Sequence, residues 1–506
     1  MKIERLKVKN FRNIKKVDIT FNDFTVIIGQ NGAGKTTLIE SIDKFFNKTA
    51  KMTDSDFYRF KTRNPIEIEI LFSRENFPDE LLKLTGGYKI KRVFKYNESP
   101  SYVTELGSNM FKDLSEFIKL IIMRSDESQY KNAEDKQGTA LNDLASMVLS
   151  EIKGSLDDKI NEYAKKIRKQ VNTEELSNDV KVEFESIAKN IDVKIDWVPT
   201  EFKLKNRITV KQDDVYVDIV DSGSGTQRLV MYGLLNYHAK QGDRKNRISA
   251  KTRTHLLIVD GPEIHQHEIR NKSFYNTLKK ISEYTQVVCA THSRSFVTIE
   301  NIFNIRMLKK TPKLTKVFSC EKKDESTFKV PFRYSEIRAA LFSSAVVITE
   351  GPTDEMVINV IDKDNKLARE GISVINTGTV NNIPNTIKLF NRFEIPCFVV
   401  WDLDNNCNLD SKNHIYKRNI MIYKLQQKNS RIYKRITSSY TCFNESLGSY
   451  LDDLLDKHPR LKFRSNRDDD KFRVLHDDGE DFAFIKQIIN SASNIVPKIL
   501  HDKKSS

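Results

Sequence analysis

The sequence contains no apolar run long enough to cross a membrane; its longest, such as Leu256–Val259 and Cys397–Trp401, have the length of a buried strand. The N-terminus carries Lys2 and Glu4 where a signal peptide would have its apolar core, so the chain is expected to stay in the cytoplasm with no membrane partner. Cysteine is scarce. The five residues (Cys289, Cys320, Cys397, Cys407, Cys442) are odd in number and scattered, with no Cys-x-x-Cys pair and no histidine at zinc-finger spacing. This argues against a disulfide scaffold or zinc module and reads as reduced, mostly buried thiols. Internal repeats and low-complexity tracts are also missing. Charge is plentiful: 30% of the 506 residues are charged and 39% hydrophobic, the balance of a soluble protein of more than one domain. Lys and Arg (84) exceed Asp and Glu (69), and the net charge of +15 favours polyanions such as DNA or RNA. Lysine-rich surfaces also follow from compositional bias, so the choice of partner rests on motifs.

Ile3, Leu6 and Val8, then Val17, Ile19 and Phe21, alternate as two strands around Asn10-Phe11-Arg12, and a buried strand Phe24–Ile28 follows. That strand runs into Gly29-Gln30-Asn31-Gly32-Ala33-Gly34-Lys35-Thr36-Thr37, after which Leu38, Ile39 and Ile42 continue with helical period. The spacing Gly29-x4-Gly34-Lys35-Thr36 between strand and helix is the P-loop pattern. Its glycines let backbone N–H groups close around phosphate oxygens at a helix N-terminus. Lys35 is suited to the β- and γ-phosphates of ATP, and Thr36 to Mg²⁺.

Three further segments resemble parts of ABC-type ATPases. Asp221–Arg228, with Ser222, Gly223, Gly225 and Gln227, is similar to the signature loop that caps the γ-phosphate bound by a second protomer, although a Ser/Gly loop before a helix is also an ordinary cap. Leu256–Asp260 is a buried strand ending in a carboxylate, the Walker B form, followed by Gly261-Pro262-Glu263 and by His265 and His267. Val287–Ala290 ends in Thr291-His292-Ser293, which looks like the switch-histidine strand. The two histidines His265 and His267 have no third ligand nearby, which favours a structural or phosphate-proximal role over a metal pair. Between the two halves of this module, from Met110 to about Ile195, Leu141, Leu144, Met147, Val148 and Ile152 have the spacing of amphipathic helices, either an arm, a dimer-forming bundle or a surface insertion.

Past a polar stretch, Lys309–Arg333, read as a linker, Ala345–Thr349 is a short strand ending in Glu350-Gly351-Pro352-Thr353-Asp354. Ile372–Ile375 precedes Asn376-Thr377-Gly378, and Pro396–Trp401 ends in Asp402-Leu403-Asp404. Strand-Glu-Gly followed by strand-Asp-x-Asp predicts an open α/β sheet with carboxylates gathered at adjacent strand ends, a site for divalent cations such as Mg²⁺ or Mn²⁺ and for in-line displacement at phosphorus. Taken alone, Asp-x-Asp is usually a turn. Between Ser411 and Arg435 eight basic residues occur with Tyr416, Tyr423 and Tyr433 and no Asp or Glu, either a guide for a DNA strand or a solvated face that offsets the acidic cluster.

Together the opening Ile3–Phe21, the P-loop, the Gly-Ser-Gly-Thr-Gln-Arg segment, Thr291-His292-Ser293 and the acidic module resemble the OLD (overcoming lysogenization defect) family, RecF/SMC-like ABC ATPases fused to a TOPRIM domain. The resemblance implies an α/β protein: ATPase N-terminal part at 1–110, helical insertion at 111–196, ATPase C-terminal part at 197–335 and a TOPRIM nuclease domain at 336–506. It implies nucleotide contacts from Gly29, Asn31, Gly32, Gly34, Lys35, Thr36, Thr37, Ser222, Gly223, Gly225, Gln227, Asp260, Glu263 and His292. Metal ligands are expected at Glu350, Asp402 and Asp404, with Thr36 and Asp260 serving the Mg²⁺ of ATP. Asp354 matches an extra acidic position of these nucleases. Glu445 matches either a further carboxylate or a helix cap, and Lys486 and Lys498 are both candidates for a late lysine. Gly261 stands where the family has an acidic residue to orient the attacking water, so ATP hydrolysis is expected to be weak or substrate-gated, with Glu263 as a substitute. The implied activity is an ATP-binding, Mg²⁺-dependent DNA endonuclease or nickase, oligomeric through its ATPase domain, serving anti-phage defence beside a neighbouring defence-system protein. The alternative is a DNA-binding clamp or sensor without nuclease activity. Strand passage and primer synthesis, which use similar acidic modules, lack their companion tyrosine or zinc domains here.

Overall fold

The computed structural model describes residues 1–108 except 48, then 114, 117–124, most of 209–235, 254–264, 268–311, 314–362, 366–402 and 440–443. Its strands in chain order are β1 (Ile3–Phe11), β2 (Ile14–Thr20), β3 (Phe24–Gly29), β4 (Ile66–Phe72), β5 (Lys89–Phe94), β6 (Ser101–Thr104), β7 (Gly107–Ser108), β8 (Ile118–Met123) and β9 (Thr209–Gln212). They continue with β10 (Val215–Asp218), β11 (Thr254–Asp260), β12 (Gln286–Ala290), β13 (Ile305–Lys310), β14 (Thr315–Phe318), β15 (Ala345–Thr349), β16 (Ile372–Asn376), β17 (Cys397–Asp402) and β18 (Tyr440–Phe443). One compact unit holds Met1–Leu120, Arg253–Tyr275 and Thr285–Ser506; the other holds Ile121–Thr252 and Asn276–Tyr284.

In the first unit an antiparallel sheet has the order β2-β1-β4-β5-β6-β7. Its strands alternate because one face is buried: Ile66, Ile68, Ile70 and Phe72 point into the core, while Glu67 and Glu69 lie opposite Lys9 and Lys7 and pair with them at 2.9 Å. A second sheet has, within this unit, the order β14-β13-β3-β12-β11. The pairs β11–β12, β12–β3 and β3–β13 are parallel, and β3 and β12 are buried along their whole length, which is why their sequences are continuous apolar runs. Helix α1 (Lys35–Phe46) follows β3 and buries Leu38, Ile39, Ile42, Phe45 and Phe46. Gln286 of β12 binds the sheets together: its amide accepts from Ile3 N and donates to Ile3 O, both at 2.8 Å.

Two expectations change here. Residues 118–123, expected within a helical segment, form strand β8, with Ile118, Ile121 and Met123 buried. The polar stretch expected as a linker from Lys309 to Arg333 is ordered: β13 and β14 form an antiparallel pair at the edge of the parallel sheet, and Glu325–Phe328 and Pro331–Arg333 are short helical turns. Its polarity is that of an edge strand with one wet side. The rest of the helical expectation, in 110–113, 115–116 and 125–195, lies outside the described residues.

The third sheet of this unit is wholly parallel, in the order β16-β15-β17-β18. Helix Pro352–Ile361 follows β15, and helix Ile383–Arg392 lies between β16 and β17 in sequence. The chain therefore moves from β15 to one neighbour and then crosses to the other, which makes the β15–β17 border a topological switch point. In the second unit β9 and β10 form an antiparallel pair, followed by the loop that leads to Gln227. Among the described residues no helix is long and apolar enough to cross a membrane.

Candidate functional site

The parallel order of β3, β12 and β11 puts three motifs at one sheet edge: the P-loop after β3, Thr291-His292 after β12, and Asp260 at the end of β11. Gly29 has φ +150, and a Cβ there would sit 2.4 Å from the Leu308 carbonyl oxygen, so only glycine lets β3 enter the loop beside β13. Gly32 and Gly34 have φ +77 and +102, and Gly34 is the residue that leads into α1. Asn31 and Thr36 are exposed and Thr37 half-buried, whereas Lys35 is buried. The Lys35 ammonium donates to Gly29 O at 2.8 Å and to Gln30 O at 3.1 Å, folded back on its own loop. Burial pulls its pKa down to about 8, against the opposing influence of the Asp260 and Glu263 carboxylates. These features fit a triphosphate: an open glycine-lined loop, a cation ready to exchange two carbonyls for phosphate oxygens, and an exposed hydroxyl at the helix start.

Glu263 binds the neighbouring strand end. Its carboxylate accepts from the Thr291 hydroxyl and from His292 N, both at 2.7 Å. The His292 imidazole is held below its ordinary value by desolvation and by the nearby Lys35 charge, with Glu263 opposing. Gly261 has φ +64 and donates its N–H to Ala290 O at 2.9 Å. The turn after Asp260 thus takes a left-handed residue, where any side chain is strained.

In the third sheet, Thr349 of β15 pairs with Val400 of β17, so Glu350 leaves β15 beside the end of β17, where Asp402 is the last strand residue. Asp402 in turn pairs with Phe443 of β18. Asp354 is buried and accepts from Gly351 N at 3.0 Å, capping helix Pro352–Ile361. Burial raises its pKa, and the backbone N–H groups of Gly351 and Glu350 oppose that shift. Thr377, fully buried after β16, has its hydroxyl within hydrogen-bonding reach of three alternative acceptors, Thr379 O (3.0 Å), Thr349 O (3.2 Å) and Glu350 O (3.4 Å). Asn382 holds Thr377 O at 2.8 Å.

The AAA ATPase domain family matches residues 1–144 and 115–297, which together exceed half of the chain. The chain belongs to that family. An OLD-like TOPRIM domain follows at residues 341–404. Over most of its length the ATPase is similar to an OLD nuclease of Thermus scotoductus, 21% identical over 85% of this chain and 88% of the relative. The Old nuclease of Escherichia phage P2 is 22% identical, over 72% of this chain and 70% of the relative. Endonuclease GajA of Bacillus cereus is also 22% identical, over 71% of this chain and 68% of the relative.

The ATPase brings Gly29, Gly32, Gly34, Lys35, Thr36, Asp260, Glu263 and His292 to one sheet edge, and Glu350 and Asp402 to another. Ser222 and Gln227 are buried and hydrogen-bonded within their own loop, Ser222 to Ile219 O at 2.7 Å and Gln227 to Ile219 O and Ser222 O at 3.0 and 2.9 Å, around Gly223. Asp402 is described by its backbone alone. Gly225, His265, His267, Asp404, Glu445, Lys486, Lys498 and the basic segment 411–435 lie outside the described residues. Among the described residues no three His, Cys, Asp or Glu side chains gather as a metal site. Cys289, Cys320 and Cys397 are buried and, among the described residues, join no disulfide. Thr291 and Thr377 stand in the segments singled out by sequence but carried no expected role there; their one signal was their place directly after a strand.

Proposed function

We propose that the chain is an ATP-regulated, divalent-metal-dependent DNA endonuclease or nickase, acting with Mg²⁺ or Mn²⁺ as a dimer or higher oligomer joined through its ATPase domain. The observation that carries this reading is the placement of Glu350 and Asp402 at the carboxyl ends of neighbouring parallel strands, at the switch point, in a chain that also bears a P-loop ATPase. Like charges at that edge repel, so Glu350, Asp402 and Asp404 would hold a cation together with water and DNA phosphate oxygens. The cation would supply charge for in-line displacement at phosphorus and a hydroxide nucleophile. Asp354 fixes the turn that carries Glu350, and Thr377 restrains the Glu350 carbonyl from the neighbouring strand end. The names of the three relatives, two nucleases and an endonuclease, support cleavage of nucleic acid. DNA as the substrate and a defence role beside a neighbouring protein belong to the same proposal.

On the nucleotide side, Lys35 would meet the β- and γ-phosphates while Thr36 and Asp260 serve Mg²⁺. Gly261 provides no carboxylate beside Asp260, and Glu263 is committed to Thr291 and His292. Slow or DNA-gated hydrolysis, with ATP acting mainly as a clamp between protomers, fits those two observations. They also favour the second reading, a DNA clamp or sensor.

The test uses supercoiled plasmid with Mg²⁺ or Mn²⁺, with and without ATP. Wild type should nick or linearise it, and Asp402→Ala should leave it supercoiled. Equal cutting by both proteins would sink the nuclease assignment, and ATP-dependent retention of uncut plasmid by both would establish the clamp.

A further inference from the structure

Between the short helical turn Asp54–Asp56 and β4 lies a segment, Tyr58–Pro65, that no motif accounts for. Its base is rigid. Asp56 is buried, accepts from Arg12 Nε at 2.8 Å and gives its carbonyl to Arg12 N at 2.7 Å. Phe57 is buried, bridges to Phe11 and stacks edge-on against Tyr96 at 5.9 Å. Asn10 donates to Pro65 O at 3.0 Å and closes the other side.

On this base the chain holds a tip that a folding protein would ordinarily bury or neutralise. Arg59 and Phe60 are consecutive left-handed residues, φ +53 and +57, a conformation that costs a side-chain-bearing residue free energy. The strain leaves the Phe60 ring in water, 72% exposed. Arg59, Lys61 and Arg63 surround it, all exposed, with no carboxylate in the segment from Phe57 to Pro65. None of the three has an ion-pair partner among the described residues, whereas Lys2, Arg5, Lys7, Lys9 and Lys91 of the same antiparallel sheet region each pair with an Asp or Glu. Tyr58, half-buried, lies under the Arg59 guanidinium at 5.4 Å.

We propose that Tyr58–Pro65 is a DNA contact on the ATPase domain, which takes a single-stranded or locally unpaired stretch with a base stacked on Phe60 and the flanking phosphates on Arg59, Lys61 and Arg63. An exposed ring supplies a sequence-tolerant stacking face, and unpaired cations exchange counterions for phosphates. A strained, over-anchored loop keeps the ring from folding back onto the protein. The path from the nucleotide is short: Arg12 also pairs with Glu40 of α1, and Asn13 donates to Gly32 O of the P-loop at 3.2 Å. The choice of DNA as the polyanion rests on the nuclease reading.

The experiment measures anisotropy of a fluorescein-labelled oligodeoxythymidine with the full chain in EDTA, so that no cleavage is needed, across a salt series. Phe60→Ala should weaken binding about tenfold or more, and Phe60→Trp should restore it. The triple variant Arg59→Gln, Lys61→Gln, Arg63→Gln should lower the log–log salt slope by about 2, three phosphate contacts at roughly 0.7 each. All of these side chains are solvent-exposed, so the melting temperature should not move. Wild-type affinity and salt slope in both Phe60→Ala and the triple variant would overturn the proposal. The plasmid assay separates the two ideas: if Asp402→Ala still cuts, the nuclease assignment falls while the loop result stands, and if Phe60→Ala and the triple variant bind normally, the loop falls while cutting by wild type stands.

Discussion

Lys35 shows how a single residue can be prepared for a ligand. It is buried, held by two loop carbonyls, and its pKa is lowered to about 8 because desolvation outweighs the pull of Asp260 and Glu263. A bound triphosphate stabilises the charged form, so its pKa rises on binding and the complex takes up a proton wherever free Lys35 is neutral. Nucleotide affinity should therefore be flat below the free pKa and fall by up to tenfold per pH unit above it. Equilibrium binding of a fluorescent ATP analogue from about pH 7 to about pH 9.5 checks this. Lys35→Arg, which stays charged throughout, should flatten the profile; a steep fall that persists in the variant would assign the titration to another group.

Helix α1 depends on a residue far from it in sequence. Arg92 of β5 is almost fully buried, and its guanidinium donates to Phe45 O at 3.0 Å and Asn47 O at 2.7 Å, as well as to Lys44 O at 2.6 Å. It thereby satisfies carbonyls that the C-terminus of α1 leaves open and places positive charge at the negative end of its dipole. Phe94 and Tyr102 lie against the guanidinium at 4.8 and 4.9 Å. Arg92→Met should lower stability by about 2–3 kcal/mol, the cost of losing hydrogen bonds from a charged donor to buried acceptors. Urea denaturation followed by circular dichroism would measure it, and a loss under about 0.5 kcal/mol would show that water replaces the cap. Because α1 begins at the P-loop, weaker ATP binding should accompany the loss.

At the scale of the whole first unit, polar contacts among the described residues link the ATPase sheet to the TOPRIM layer. Gln30 of the P-loop donates to Ser344, directly before β15, at 3.0 Å. Lys316 of β14 pairs with Glu394 at 2.8 Å, and Arg392 pairs with Glu321 at 2.7 Å. Exposed pairs of this kind add little stability, so their worth lies in registering one layer against the other. Gln30→Ala should leave stability nearly unchanged while moving the ratio of plasmid cleavage rates with and without ATP toward one; an unchanged ratio would place the coupling elsewhere. The P-loop, the strand ending at Asp260 and the strands ending at Thr349 and Asp402 were legible in the amino-acid order, because glycine spacing, continuous apolar runs and terminal carboxylates are local signals. The strands within 309–333 were not, since polar edge strands look like loops until their partners are known. Nor was the strand at 118–123, whose buried Ile118 and Ile121 lie three residues apart, as they also would on a helix face. The sequence by itself determined where glycines let β3 turn into α1 and which strands are buried on both faces. Only the tertiary structure decided that Glu263 and Thr291 meet across two strands, that Thr377 reaches the Glu350 carbonyl, and that Arg92 closes α1. Those contacts join residues distant in the chain, and no periodicity along the chain encodes them.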